Sequence, residues 1–102
     1  MSHALKVEHC RKALEFFIKI NGSKAVLQYK ELPNGILDMY HTEVPPEARG
    51  KGVAKVLADA AFSYAGKNGL KIIPTCTYID KYARDFATPE QKALIVHSKS
   101  GL

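Results

Sequence analysis

The stretch YHTEVPPEARGKGVAKVLADAAF, Tyr40 to Phe62, decides how this chain folds. It passes from an extended, half-apolar segment through Pro45-Pro46 into RGKGVA, residues 49–54, and from there into an alanine-rich amphipathic run. A glycine-bearing turn that opens a helix directly after a strand is an anion cradle. The backbone N–H groups of a first helical turn have no intrahelical partners and stand at the positive end of the helix dipole. Gly50 and Gly52 lack the Cβ atoms that would hold an anion away from those groups. The ligand of such a loop carries phosphate, and the flanking sequence narrows down which one.

Downstream of the loop, Lys51, Lys55, Asp59, Ser63 and Lys67 recur at i, i+4 on a polar face, while Val53, Val56, Leu57, Ala60, Ala61 and Tyr64 supply an apolar one. The spacing predicts a helix from Lys51 to about Lys67, with small alanines that let it lie close on a sheet. Asn68-Gly69 ends it, because glycine takes the left-handed conformation of a helix terminus without strain. LKIIPTC, residues 70–76, then reads as a short apolar strand. Strand, helix, strand in that order implies a right-handed crossover that sets the Met39 and Ile72 strands parallel. Pro74 cannot donate a ladder hydrogen bond, so the second strand lies at an edge, bulges or diverges there. Divergence would open a slot beside Cys76.

Upstream, Ala13 to Val44 reads as a three-stranded meander: ALEFFIKI, a turn at Asn21-Gly22, the alternating AVLQYKEL, a turn at Pro33-Asn34-Gly35, and ILDMYHTEV. The first ten residues are compatible with a further short strand or with loose chain. After Cys76, TYIDKYARDF forms a short helix with Thr77 as its cap. A second begins at Thr88-Pro89-Glu90-Gln91, where Thr88 at N-cap, Pro89 at N1 and Gln91 at N3 fit a capping box. KALIVH continues that helix or forms a last strand, and the tail 98–102 frays. The expected class is α/β in the mixed α+β sense: an antiparallel meander followed by a strand-helix-strand crossover.

Composition excludes several classes. The 102 residues make a single domain, 1–102, with its core at about residues 5–98. A hydrophobic content of 46% with 25% charged residues is that of a folded globular chain, not a disordered one. No apolar run reaches the roughly 20 residues of a bilayer span, and the N-terminus lacks a secretory hydrophobic core, so a cytoplasmic protein is expected. Cys10 and Cys76 have no zinc or CxxC spacing and read as free thiols; His3, His9 and His97 show no ligand spacing either, so no metal is assigned. The net charge of +5 favours polyanionic ligands. Its lysines and arginines are spread along the chain without a nucleic-acid-binding signature, which sets nucleic acid aside as the main partner.

Three phosphate motifs can be compared with the loop. A Walker loop needs G-x-x-x-x-G-K-S/T, but Val53 follows Gly52 and no hydroxyl is placed for magnesium. The dinucleotide fingerprint G-x-G-x-x-G is met only at Gly50 and Gly52, since Lys55 stands at the third glycine, and the antiparallel approach is wrong for a doubly wound sheet. The pattern Q/R-x-x-G-x-G/A is met in full by Arg49, Gly52 and Ala54.

With the strand before it, the helix after it and the segment Pro74-Thr75-Cys76-Thr77-Tyr78 beyond, the chain resembles the GNAT superfamily of acetyl-CoA-dependent N-acetyltransferases, and within it the minimal, single-domain GNAT-like proteins. The resemblance runs from about Leu27 to Val96. It implies acetyl-CoA as cosubstrate, with the coenzyme A pyrophosphate on the backbone of Arg49, Gly50, Lys51, Gly52, Val53, Ala54 and Lys55. It also implies strand-like hydrogen bonds from the pantetheine arm to Thr42, Glu43 and Val44, and polarisation of the acetyl carbonyl by a backbone N–H of that strand. An amine acceptor, small or peptidic, then attacks the thioester directly.

The chain departs from larger GNAT enzymes in two respects. The helices they carry between their first two strands have no room around Asn21-Gly22, which leaves the acceptor groove open. Their asparagine-containing segment is absent, so Tyr78 and Tyr82 stand as substitute acids. The catalytic candidates are Cys76, as nucleophile or as neighbour of the thioester; Glu43 and His41, as bases for the incoming ammonium; and Tyr82, as acid for the leaving thiolate. His41 is expected on the face of Leu37 and Met39. An acetyl-CoA-dependent N-acetyltransferase, monomeric by default, is the first reading. A non-catalytic coenzyme A-binding or protein-interaction module of the same fold is the alternative.

Overall fold

The structure is a computed structural model and describes residues 5–96. His3, His97 and the tail 98–102 lie outside the described residues. Strands β1 (Glu8–Cys10), β2 (Glu15–Ile20), β3 (Ser23–Leu32), β4 (Ile36–Glu43) and β5 (Lys71–Ile73) form one sheet in chain order. All neighbours are antiparallel except β4 and β5, which run parallel on either side of helix α1 (Val53–Lys67). Helices α2 (Thr77–Asp85) and α3 (Pro89–Lys92) follow. This is the expected mixed sheet with its crossover. The meander gains a strand at its start, because β1 pairs Glu8 with Phe17 and Cys10 with Glu15.

Local chemistry explains most element ends. Asn21 and Gly22 have φ of 45° and 82°, the positive pair that matches a tight turn to the twist of β2 and β3. At the end of α1, Leu70 N–H bonds the Ala65 carbonyl at 2.9 Å and Gly69 N–H bonds Gly66 at 3.4 Å, with Gly69 at φ 66°. These two bonds are the Schellman closure, and they satisfy carbonyls the helix leaves open. The Thr88–Gln91 capping box forms as expected. The α2 cap differs from expectation: Cys76, with φ −65° and ψ 133°, is the N-cap, and Thr77 is already helical. KALIVH divides, since α3 ends at Lys92 and Ile95 then makes a parallel bridge to Ile72 that covers the outer edge of β5.

One face of the sheet packs on α1. Phe16, Ile18, Leu27, Tyr29, Leu37 and Met39 from the sheet meet Val53, Leu57, Ala58, Ala61, Phe62 and Ala65 from the helix, all buried. Phe62, outside the expected stripe, is fully buried and packs its ring 4.8 Å from that of Tyr82, which brings α2 into the same core. His9 closes the far end, stacked 3.9 Å from Phe16, with its Nε2 2.7 Å from the Tyr29 hydroxyl.

A bulge in β4 decides how the site is presented. Tyr29 opposes Met39 and Gln28 opposes His41, so Tyr40 is the extra residue. Past a bulge the alternation of side chains changes phase. Thr42 therefore opposes Leu27 on the α1 face, and His41 opposes Gln28 on the other. The expectation that His41 shares the Leu37 and Met39 face is overturned for this reason.

Candidate active site

The loop between β4 and α1 is built to stay open. A single 3-10 turn, Pro46–Ala48, carries it over the sheet end, with Ala48 buried at 1% exposure as its anchor. Ser23 Oγ donates to Glu47 Oε2 at 2.8 Å, and Arg49 Nε donates to the Val44 carbonyl at 3.1 Å, so both sides of the turn are tied down. Gly50 and Gly52 then take φ of 81° and 74°, and Gly52 is the N-cap of α1. That conformation is why the helix begins at Val53 and not at Lys51. A Cβ built on either glycine meets no protein atom within 4 Å.

The loop encloses a cavity of about 250 Å³ bounded by Val44, Arg49, Gly50, Gly52 and the first helical turn, with Tyr78 of α2 as its far wall. Val53, Ala54 and Lys55 contribute that turn, so seven of the expected cofactor contacts line one cavity. Lys51 faces a neighbouring, larger recess of about 690 Å³ beside β2.

The parting of the sheet lies next to the cradle. Pairing of β4 with β5 stops at Asp38 and Ile73, directly before Pro74. Two bonds then recapture the chain: Thr75 Oγ1 donates to the buried Asp38 carboxylate, and Cys76 N–H donates to the Met39 carbonyl at 2.9 Å. The second half of β4 therefore runs without a β5 partner, facing the start of α2. Across this gap Cys76 Sγ lies 3.5 Å from Thr42 Oγ1, on the side of the sheet that carries α1. Both cysteines, Cys10 and Cys76, are free thiols, as their spacing implied.

The remaining candidates divide between the two faces. His41 Nε2 and Glu43 Oε1 are 3.3 Å apart, with side chains 47% and 70% exposed, on the face away from α1. Tyr82 is buried, and its hydroxyl donates to Asp59 Oδ1 at 2.5 Å. Burial, then the Asp59 carboxylate, raise its pKa well above the ordinary tyrosine value, and the same two causes raise that of Tyr78. Of the two tyrosines it is Tyr78 that borders the cavity. Asp59, read from sequence only as part of a polar face, also receives Lys55 Nζ at 3.2 Å and so links α1, α2 and the cradle. Its place one turn after Lys55 was the signal available. Among the described residues no group of His, Cys, Asp and Glu is arranged to hold a metal ion, and no helix is long and apolar enough to cross a membrane.

An antiparallel meander joined by a parallel crossover, with a glycine-bearing loop at the helix start and strands that part beside it, is the N-acetyltransferase-like fold. The solution structure of a GCN5-like putative N-acetyltransferase from Staphylococcus aureus superposes with a TM-score of 0.70 at 25% identity, over 93% of this chain and 91% of that one. The chain belongs to the GCN5-related N-acetyl-transferase family, whose model matches residues 15–92. Among its relatives, Protein NATD1 of Xenopus tropicalis is 41% identical over 87% of this chain and 84% of its own length. Protein NATD1 of Danio rerio is 40% identical over 95% and 90%, and that of Homo sapiens 41% identical over 84% and 78%.

Proposed function

We propose that this chain, as one domain acting in the cytoplasm, is an acetyl-CoA-dependent N-acetyltransferase that moves an acetyl group to an amine in a ternary complex. The observation that carries the reading is the cradle: two left-handed glycines whose missing Cβ atoms leave open the space in front of the α1 N-terminus. A diphosphate fits this space, because first-turn N–H groups and the helix dipole favour anions and Arg49 and Lys55 border the cavity. Gly50 to Lys55 would hold the pyrophosphate, and Thr42 to Val44 would pair with the pantetheine arm. Acetyl-CoA supplies the activated acetyl group when bound.

The residues around the parting of the strands then divide the work. Backbone N–H groups on the β5 side of the second half of β4, where β5 no longer pairs, polarise the acetyl carbonyl, which is stabilisation by donors already in place. Glu43 accepts a proton from the incoming ammonium, with His41 3.3 Å away as its partner. Cys76 borders the reacting atoms from the α2 side, and as the new N–C bond forms and the C–S bond breaks, Tyr78, as a wall of the cavity, replaces Tyr82 as the nearer hydroxyl to protonate the released thiolate. The acceptor approaches from the sheet face that carries His41 and Glu43, where both side chains are exposed to solvent.

One observation favours a second reading, a coenzyme A-binding module without turnover: the Tyr82 hydroxyl is held by Asp59, and the His41 and Glu43 side chains lie in solvent away from the α1 face. Coenzyme A at millimolar concentration is expected to raise the melting temperature, since a ligand at a hundredfold excess over Kd adds about 2.7 kcal/mol to the native state. Acetyl transfer to a panel of amines, corrected for thioester hydrolysis, is then expected above background. Absence of any thermal shift refutes coenzyme A binding. A shift without transfer selects the module.

A further inference from the structure

The cradle accounts for the phosphates of a coenzyme A-type ligand and β4 for its arm, but neither accounts for its purine. We propose that Phe86 is the platform on which the adenine ring stacks, with Lys55 as the residue that exposes it. This rests on the coenzyme A reading above and adds the nucleotide end to it.

Phe86 is the C-cap of α2 and is 53% exposed, one of two large hydrophobic side chains the fold leaves in water among the described residues. A lone exposed phenylalanine is ordinary on a protein surface. Its location is what distinguishes this one. The ammonium of Lys55 lies 5.4 Å from the centroid of its ring, and Lys55 belongs to the first turn of α1 and borders the phosphate cavity. Phe86 is therefore one side chain away from the cradle, on the helix that also supplies Tyr78 to the cavity wall. Its backbone N–H bonds the Tyr82 carbonyl at 2.8 Å and its ring lies 6.0 Å from that of Tyr82, which is itself tied to Asp59. The platform is thus held by the same contacts that hold α2 against α1.

Lys55 is at present shared between the Asp59 carboxylate at 3.2 Å and the Phe86 ring. An exposed cation–π contact contributes about 0.5–1 kcal/mol, and an exposed ion pair no more than that. A diphosphate in the cradle offers a larger attraction to the same ammonium, at charge-assisted hydrogen-bond distance. When Lys55 turns to the phosphates the face of Phe86 is uncovered, and the ligand that drew Lys55 away carries the planar group that fills the place. Lys55 and Phe86 thereby couple occupancy of the cradle to access to the platform.

The chain contains no tryptophan, so Phe86→Trp places a single tryptophan at the proposed contact, whose emission is read apart from that of the five tyrosines. Coenzyme A is expected to quench it, whereas phosphopantetheine, which lacks adenosine, is expected to bind without quenching. In parallel, Phe86→Ala is expected to bind coenzyme A about five- to tenfold more weakly, near the lower end of base–aromatic stacking, while its affinity for phosphopantetheine stays that of the natural chain. Unquenched fluorescence of the Phe86→Trp variant at saturating coenzyme A overturns the proposal. So does equal weakening of both ligands in Phe86→Ala, which would mark general damage to α2, and so does coenzyme A binding in Phe86→Ala at unchanged affinity, which would send the purine to the recess bordered by Lys6 and Lys51. If the natural chain binds neither ligand, the coenzyme A reading itself falls, an outcome separate from these.

Discussion

Replacing Gly52 by alanine separates what the loop contributes to the fold from what it contributes to binding. In the unliganded protein the new Cβ meets no atom within 4 Å, so no clash is introduced. The residue must still hold φ near 74°, and a left-handed conformation costs an L-residue roughly 1–2 kcal/mol. For a chain of this size that corresponds to a melting temperature lower by about 5–15 °C. The binding effect has a different origin. In the proposed complex a phosphate oxygen accepting from the first-turn N–H groups sits about 2.9 Å from the nitrogens, and Gly52 borders the same cavity, so an added methyl competes for that space. Loss of one charge-assisted hydrogen bond is worth about 1.5–3 kcal/mol, or a Kd about 10- to 100-fold weaker. Thermal unfolding with and without millimolar coenzyme A, supported by calorimetric titration, reads both terms. Gly52→Ala is expected to unfold cooperatively at a lower temperature and to lose half or more of the ligand-induced increment. A variant that keeps the full increment would show that the phosphates do not occupy the space in front of Gly52, and the loop would then not be their cradle.

Acid should weaken the fold through His9, whose pKa is lowered from 6.5 by burial and then by Arg11. Above pH 6.5 neither state binds the proton and stability is unaffected; as pH falls through 6.5 the unfolded chain is protonated first, so stability declines until the folded histidine follows. His9→Gln is expected to flatten that part of a stability–pH curve measured by denaturant titration, and an unchanged slope would contradict the assignment. Tyr82→Phe removes the hydrogen bond to Asp59 and should cost about 1 kcal/mol of stability. Its acetyl transfer, compared at equal folded fraction, should remain near that of the natural chain; a large fall in kcat at unchanged KM would restore Tyr82 as the acid. In the direct-attack route Cys76→Ala should retain transfer, whereas complete loss of turnover with coenzyme A binding intact would require the thiol to take part in the chemistry.

The chain alone determined those features whose causes lie within a few residues. Asn21-Gly22 sets its turn because positive φ at both positions suits those residue types, and Thr88 to Gln91 closes its box because all partners lie within one turn. Gly69 marks the end of α1 for the same reason, whereas the start expected at Lys51 falls at Val53 because Gly52 is left-handed; the order strand, glycine loop, helix, strand was enough to indicate the crossover. What tertiary structure decided depends on pairing between distant segments. β1 exists because β2 offers it an edge, and the bulge at Tyr40 exists because β3 and β4 register differently on either side of it. No local pattern in ILDMYHTEV announces that extra residue, yet it turns His41 away from the Met39 face and brings Thr42 to 3.5 Å from the Cys76 sulfur. The same holds for Tyr82 with Asp59 and Phe86 with Lys55, which meet only because α2 folds back on α1. Turns and caps are short-range hydrogen-bond problems that a few side chains solve. The face a strand presents and the partner a buried hydroxyl finds are set by the packing of elements far apart in the chain.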